Sequence, residues 1–162
     1  MTKGRAKMAI VHVRIDDRLI HGQVAMIWTN SLSATRIMVV DNDASNSDLI
    51  KMSLKLATPT SVSLSVLTIE KAATRILSGA YDGQRVLLVI RSPENLLKLI
   101  KQGVMVDCAN LGNQAPKDAT RALNDTVALT ETSIEACRQL RKLDVKLTLN
   151  RLPSSETTEV IL

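Results

Sequence analysis

The 162-residue chain carries 21 Lys and Arg against 16 Asp and Glu, a net charge of +5, with one Trp, one Tyr and no Phe. That length fits one domain with a substantial core, and scattered basic residues with almost no aromatic rings argue against a nucleic-acid tail or a base-stacking surface. No apolar run reaches the roughly 18–20 residues needed to cross a bilayer, and the basic N-terminus has neither a signal-peptide core nor a small-residue cleavage site, so a cytosolic protein is expected.

Residues 1–7 (MTKGRAK) read as a mobile leader. Strand one is expected over Met8–Arg14, apolar on both faces as a central parallel strand is. Val24, Ile27, Trp28 and Leu32 recur at helical spacing and predict a helix from Gly22 to Leu32. Thr35–Asp41 is strand two. Asn46 or Ser47 caps a helix through Ala57, with Leu49, Ile50, Leu54 and Leu56 among its apolar positions and Pro59 closing it. Strand three, Val62–Leu67, leads to a helix that Thr68 caps and that ends near Gly79. Strand four, Arg85–Ile90, precedes the helix with the clearest start: Ser92 as cap, Pro93 at the first position, Glu94 in the first turn, and Gly103 as the stop. Val104–Asn110 is strand five. Leu111–Asn124 has no clear period and reads as a long loop or short helix. Thr126–Thr130 is strand six, Glu131–Leu143 a helix, and Val145–Asn150 strand seven. The tail from Arg151 contains Pro153 and ends Val160-Ile161-Leu162, which either packs back or forms a short edge strand.

Strands alternating with helices predict βαβ units: a single-domain α/β fold over 1–162, its open sheet mostly parallel with helices on both faces. Cys108 falls in a strand and Cys137 in a helix, without CxxC spacing, so both are expected as buried free thiols. So few and so dispersed a set of His and Cys predicts no metal site.

Between strand one and the first helix lies Arg14-Ile15-Asp16-Asp17-Arg18-Leu19-Ile20-His21-Gly22-Gln23-Val24. A strand, a polar bend, a glycine and a helix are how α/β proteins present chemistry at the carboxyl edge of a sheet. A neutral imidazole such as His21 is a good nucleophile near neutral pH, and phosphoimidazole keeps a high group-transfer potential. An arginine fork holds two phosphate oxygens at once. Arg18, three residues from His21, is the nearer clamp, and Arg14 reaches the same oxygens from the strand end. Asp16 or Asp17 orients the His21 ring or ties down an arginine; the plainer reading is an Arg–Asp network that stiffens the loop. The first amides of the helix, on Gly22, Gln23 and Val24, favour an anion beside His21. The plainer reading of His21 itself is a helix cap, or a ring hydrogen-bonded within the loop.

The bend is neither a P-loop nor a GxGxxG, so no nucleotide or other cofactor is expected. His12 shares a strand face with Arg14 and reads as a satisfied structural histidine. Asp41-Asn42, Thr68, Arg91-Ser92, Asn110 and Gly112-Asn113 should converge on the same edge, mostly as turn and cap residues, with one or two lining the site.

The run RIDDRLIHGQV resembles, without a gap, the signature of the IIB component of the mannose/fructose/sorbose family of bacterial phosphotransferase-system (PTS) transporters. VVDND at Val39–Asp43, LTIEKA from Leu67, VIRSP at Val89–Pro93 and GV…ANLGN from Gly103 to Asn113 extend the resemblance from about Met8 to the end. It implies an open twisted sheet of about seven strands with strand one beside the topological switch point. It also implies a protein-Nπ-phosphohistidine–sugar phosphotransferase subunit: His21 takes a phosphoryl group from a phosphohistidine of the IIA component and passes it to a sugar held by the membrane components IIC and IID, at the inner face of the membrane. Family members carry an aliphatic residue near the position of His12. The sugar and any homo-oligomer stay open. Two rivals remain at this point: an α/β domain that only binds a phosphate or other anion in the same bend, and a basic nucleic-acid-binding protein, which the missing aromatics disfavour.

Overall fold

The computed structural model describes residues 9–162, and the expected leader and the first residue expected for strand one, Met8, lie outside them. In chain order the elements are β1 (Ile10–Asp16), α1 (Gly22–Leu32), β2 (Arg36–Val40), α2 (Asn42–Ser45), α3 (Asp48–Ala57), β3 (Ser63–Leu67), α4 (Ile69–Leu77), β4 (Val86–Ile90), α5 (Pro93–Lys101), β5 (Cys108–Asn113), β6 (Arg121–Ala122), β7 (Ala128–Leu129), α6 (Glu131–Lys142), β8 (Lys146–Leu149) and β9 (Thr158–Glu159).

The strands richest in Val, Ile and Leu take the middle. β4 is buried at every position, and β1 and β2 over most of their length. The seven-stranded sheet runs β3-β2-β4-β1-β5-β8-β9. All neighbours are parallel except β9, which pairs antiparallel with β8. The chain leaves β1 toward one edge and leaves β4 toward the other. The reversal therefore falls between these two neighbours, where open α/β sheets bind ligands.

Alternation along the strands separates two apolar layers. Ile37, Val39, Leu87 and Val89 pack with Trp28 of α1 and Leu54 of α3. Met38, Val40, Leu88 and Ile90 point the other way, into a larger core with residues of α4, α5 and α6. Each fully buried Ile, Leu or Val contributes about 1.5–3 kcal/mol. Gly103, at φ 108, ends α5 in a conformation that side chains resist, as its place after the helix predicted. Among the described residues no helix is long and apolar enough to cross a membrane.

Several boundaries differ from expectation. β1 continues two residues past the expected end at Arg14, so Ile15 and Asp16 belong to the strand rather than the bend. The fifth strand starts at Cys108, not Val104: Val104 and Val106 are buried without ladder pairing, while Met105 is exposed. The expected sixth strand shrinks to β7, which pairs antiparallel with β6 outside the main sheet. β6 itself lies in the stretch read as a loop, while the tail takes one of its two expected courses and adds the short edge strand β9 as the seventh of the sheet. Cys137 is fully buried, and burial, reinforced by Glu94, pushes its thiol up to about 12. Cys108 is exposed, against expectation, because it opens β5 at the sheet's amino edge.

Candidate active site

Val13 and Ile15 of β1 point into the larger core, which leaves His12, Arg14 and Asp16 on the opposite face, under α1. A buried polar stripe is costly unless it is bonded, and its partners arrive from distant parts of the chain. Arg14 Nη1 donates to Asn110 Oδ1 at 3.1 Å, directly across the ladder in β5, and to the backbone oxygens of Asn150 and Arg151, each at 3.4 Å. Its Nη2 lies 3.4 Å from Asp16 Oδ2 without hydrogen-bond geometry. The guanidinium rests against Gly112, where a Cβ would collide with it. Arg14 also lies over the Trp28 ring, 5.6 Å from its centroid, and the Trp28 indole N–H donates to Arg151 O at 3.1 Å.

Asp16, 1 % exposed, gathers the bend. Its Oδ1 accepts from the Arg18 amide at 2.9 Å and from Arg18 Nε at 3.1 Å, and its Oδ2 accepts from Arg18 Nη2 at 3.0 Å. The Asp16 hydrogen bond comes first among the causes that raise the Arg18 pKa. The Arg18 side chain is 38 % exposed, and its Nη1–Nη2 edge is left open. The chain then turns on Leu19, whose amide donates to Asp16 O at 3.0 Å and whose φ of 62 is a left-handed value. That conformation costs a non-glycine residue about 1–2 kcal/mol, and burial of the Leu19 side chain offsets it. The turn sends Ile20 into the core and His21 out to solvent.

His21 stands at the N-cap of α1 with extended backbone (φ −113, ψ 113) and makes no side-chain cap bond, which sets aside its reading as a cap. The other five helices are capped by Asp41, Ser47, Thr68, Ser92 and Thr130, and each has an acidic residue in its first turn. α1 has neither. Its first amides, on Gly22, Gln23 and Val24, therefore face solvent beside His21, with the positive end of the helix dipole uncompensated.

A second ring fixes the far side of the bend. Asp17 accepts from Asn113 Nδ2 and from the Ala115 amide, both at 2.7 Å. Arg91 forms two bonds to Asp41, at 3.0 and 3.1 Å, and donates through Nη1 to Asp17 O at 2.9 Å. Neither aspartate hydrogen-bonds to His21. Asp16 ties down an arginine, and Asp17 ties the bend to the segment after β5. Of the converging strand-end residues, Asp41, Thr68 and Ser92 are caps as expected. Arg91 and Asn113 brace the bend instead.

Sequence reasoning gave Trp28 no site role and placed Asn110 and Gly112 only among the strand-end residues converging on the edge, without the contact each makes to Arg14. The available signal was an Asn and a Gly two apart inside an otherwise apolar strand, a mark of close backbone approach. His12 is only half of what was expected. It stacks on Trp28 with centroids 4.5 Å apart and planes at 18°, but its Nε2 is buried without a partner. Burial, then the charge of Arg14, lowers its pKa to about 4.

Residues 10–161 match the family model of the PTS system sorbose subfamily IIB component. The chain belongs to this IIB family. It is 32 % identical over 154 residues to the sorbose-specific EIIB component of Klebsiella pneumoniae, covering 95 % of this chain and 94 % of that one. It is also 32 % identical over 145 residues to the mannose-specific EIIAB component of Escherichia coli (strain K12), covering 90 % of this chain and 45 % of that longer protein. The crystal structure of the IIBSor domain of the sorbose permease from K. pneumoniae superposes with a TM-score of 0.87 at 33 % identity, over 93 % of each chain. In this IIB chain Arg14, Asp16, His21 and Trp28 border one small cavity of about 10 Å³, room for about one water.

Proposed function

We propose that this IIB chain is a phosphocarrier, with His21 as the residue that holds the phosphoryl group between a IIA donor and a sugar acceptor. The observation that carries the proposal is the start of α1: an exposed histidine followed by a helix end that lacks both a capping side chain and a first-turn acid. A phosphoryl dianion on His21 supplies the missing negative charge and the acceptors.

The lone pair of one His21 ring nitrogen forms the new N–P bond as the donor histidine's N–P bond breaks. Each ring keeps the proton on its other nitrogen, so the exchange needs no general base. Arg18 is oriented by Asp16 and turns its free edge to the phosphoryl oxygens, while Arg14, with its guanidinium committed to protein acceptors, braces Asp16 from below. Catalysis here is positioning and charge stabilisation. In the second step a sugar hydroxyl forms the O–P bond, the His21 N–P bond breaks, and the hydroxyl proton leaves to solvent or to the membrane component.

The relative named EIIAB supports IIA as the donor. Sugar recognition belongs to the membrane components IIC and IID, with the IIB chain working at the cytoplasmic face; the small cavity beside His21 supports that division. Relatives named for sorbose and for mannose are equally identical, so identity does not select the sugar. Purified phospho-protein should accordingly fail to phosphorylate free hexoses at rates comparable with a system containing the membrane components.

The test is labelling by a phosphorylated IIA protein. His21→Ala should take up no label, and His12→Gln, altered at a buried position with few donors, should be labelled. The label should be acid-labile and alkali-stable. Label retained in His21→Ala, or an acid-stable label, overturns the proposal; reversible anion binding with no covalent label leaves only a binding domain.

A further inference from the structure

Helix α3 exposes an apolar stripe that the phosphocarrier reading does not use. Leu49, Met52 and Leu56 are 76 %, 63 % and 83 % exposed, while Leu54 on the opposite side of the same helix is buried in the core. The spacing i, i+3, i+7 places the three along one line, the seam of a two-helix contact. Together they expose roughly 400 Å² of surface, the size at which an apolar patch marks an interaction site. α3 packs through Leu54 and Ala57 on the side of the sheet that holds Val62, Leu64 and Val66, next to the edge strand β3. That edge is three places from β1 in strand order, so a partner on α3 leaves the bend at His21 free.

We infer that the occupant of this stripe is α3 of a second copy of the chain, packed antiparallel about a two-fold axis. The arrangement of charge selects it. Met52 lies midway between Leu49 and Leu56, so the axis passes beside Met52 and each Leu49 meets Leu56 of the other copy. Asp48, in the first turn, and Lys55, in the last, flank the stripe on the same side. A two-fold axis brings like flanks together with opposite polarity, so Asp48 of each copy faces Lys55 of the other, twice over. Within one copy Asp48 is 3.7 Å from Lys51, an exposed contact that leaves it free to exchange partners. The other flank presents Ser53, which meets its own copy without a charge clash. A parallel pairing would instead turn the Asp48–Lys55 flank toward the Ser53 flank of the other copy and form neither ion pair. The stripe supplies about half of the roughly 800 Å² that each partner of a standard interface covers, so the dimer is weak, with a dissociation constant on the order of 100 µM.

Sedimentation equilibrium of the full chain between about 10 and 500 µM should show a monomer–dimer equilibrium in that range. Leu56→Asp, a surface change that leaves the circular dichroism intact, should abolish it. Lys55→Asp should weaken the dimer about tenfold, and Asp48→Lys added to Lys55→Asp should restore it, because the exchanged charges complement each other again. Met52→Cys in a Cys108→Ser background should form a disulfide-linked dimer under mild oxidation. A chain monomeric throughout that range, a dimer indifferent to Leu56→Asp, or a double charge exchange that does not restore association each overturns the inference. So does a monomeric chain that binds phosphatidylglycerol vesicles through Leu56, which would give the stripe to a membrane surface.

Discussion

The guanidinium of Arg14 rests against the Cα of Gly112, a residue 98 positions away in the sequence, and Asn110 holds the same guanidinium from directly across the ladder. Gly112 is a glycine for lack of room rather than for backbone freedom, since its φ is not positive. A methyl group there must displace Arg14, and with it the support of Asp16. Gly112→Ala should destabilise the fold by about 1–3 kcal/mol in urea unfolding. The cost should shrink when Arg14→Ala is combined with it, giving a non-zero coupling energy. Full additivity of the two changes would show that the contact is not the cause.

Arg18→Lys keeps a charge but loses the planar fork that Asp16 orients. Loss of one charge-assisted contact to the phosphoryl group costs on the order of 1.5–3 kcal/mol, about ten- to a hundredfold in the rate of phosphate acceptance. Arg18 is partly exposed and Arg14 still neutralises Asp16, so unfolding free energy should barely move. Rapid-quench labelling with phospho-IIA reads the rate, and transfer at the wild-type rate would make Arg18 a loop brace.

His12 gives a pH signature. Its pKa falls from the usual 6.5 to about 4 on folding, chiefly through burial. The unfolded chain therefore takes up a proton that the folded chain refuses as pH drops below 6.5. The contribution of neutral His12 is fully present above that pH and is lost progressively down to about pH 4, to a total of about 3 kcal/mol. The difference in stability between wild type and His12→Gln, followed from pH 7.5 to about 4, isolates this from the titration of carboxylates. A difference that stays flat across that window would contradict the burial of the ring.

A IIA donor that reaches His21 also covers the first turns of α1, where Met26 and Ile27 are exposed. Met26→Asp should leave stability within about 0.5 kcal/mol of wild type while raising KM for phospho-IIA about tenfold, with little change in kcat. An unchanged KM would place the docking face elsewhere.

The sequence alone determined the helices with strong local signals and which polar residues share the bend. Ser92-Pro93-Glu94 and Gly103 bracket α5, and the spacing of Val24, Ile27, Trp28 and Leu32 marked α1. Those signals act over a few residues, through caps, fixed φ and the 3.6-residue period, and so survive without knowledge of the rest. The arginines, the aspartates and His21 were legible for the same reason, being neighbours in the chain. What joins β1 to the rest was not. Asn110, Gly112 and the carbonyls of Asn150 and Arg151 reach Arg14 from about 100 positions away or more, and only the order of strands in the sheet decides that they meet. The same holds for β9, which the sequence offered only as one of two courses for the tail. Thr158–Glu159 carries no strand pattern of its own and pairs because β8 offers an open edge and Val160 an apolar anchor, whereas Thr126–Thr130, which has the pattern, finds no free edge of the main sheet and keeps only the short ribbon with β6. Local composition proposes strands; the competition for buried edges, settled in three dimensions, decides which of them the sheet takes.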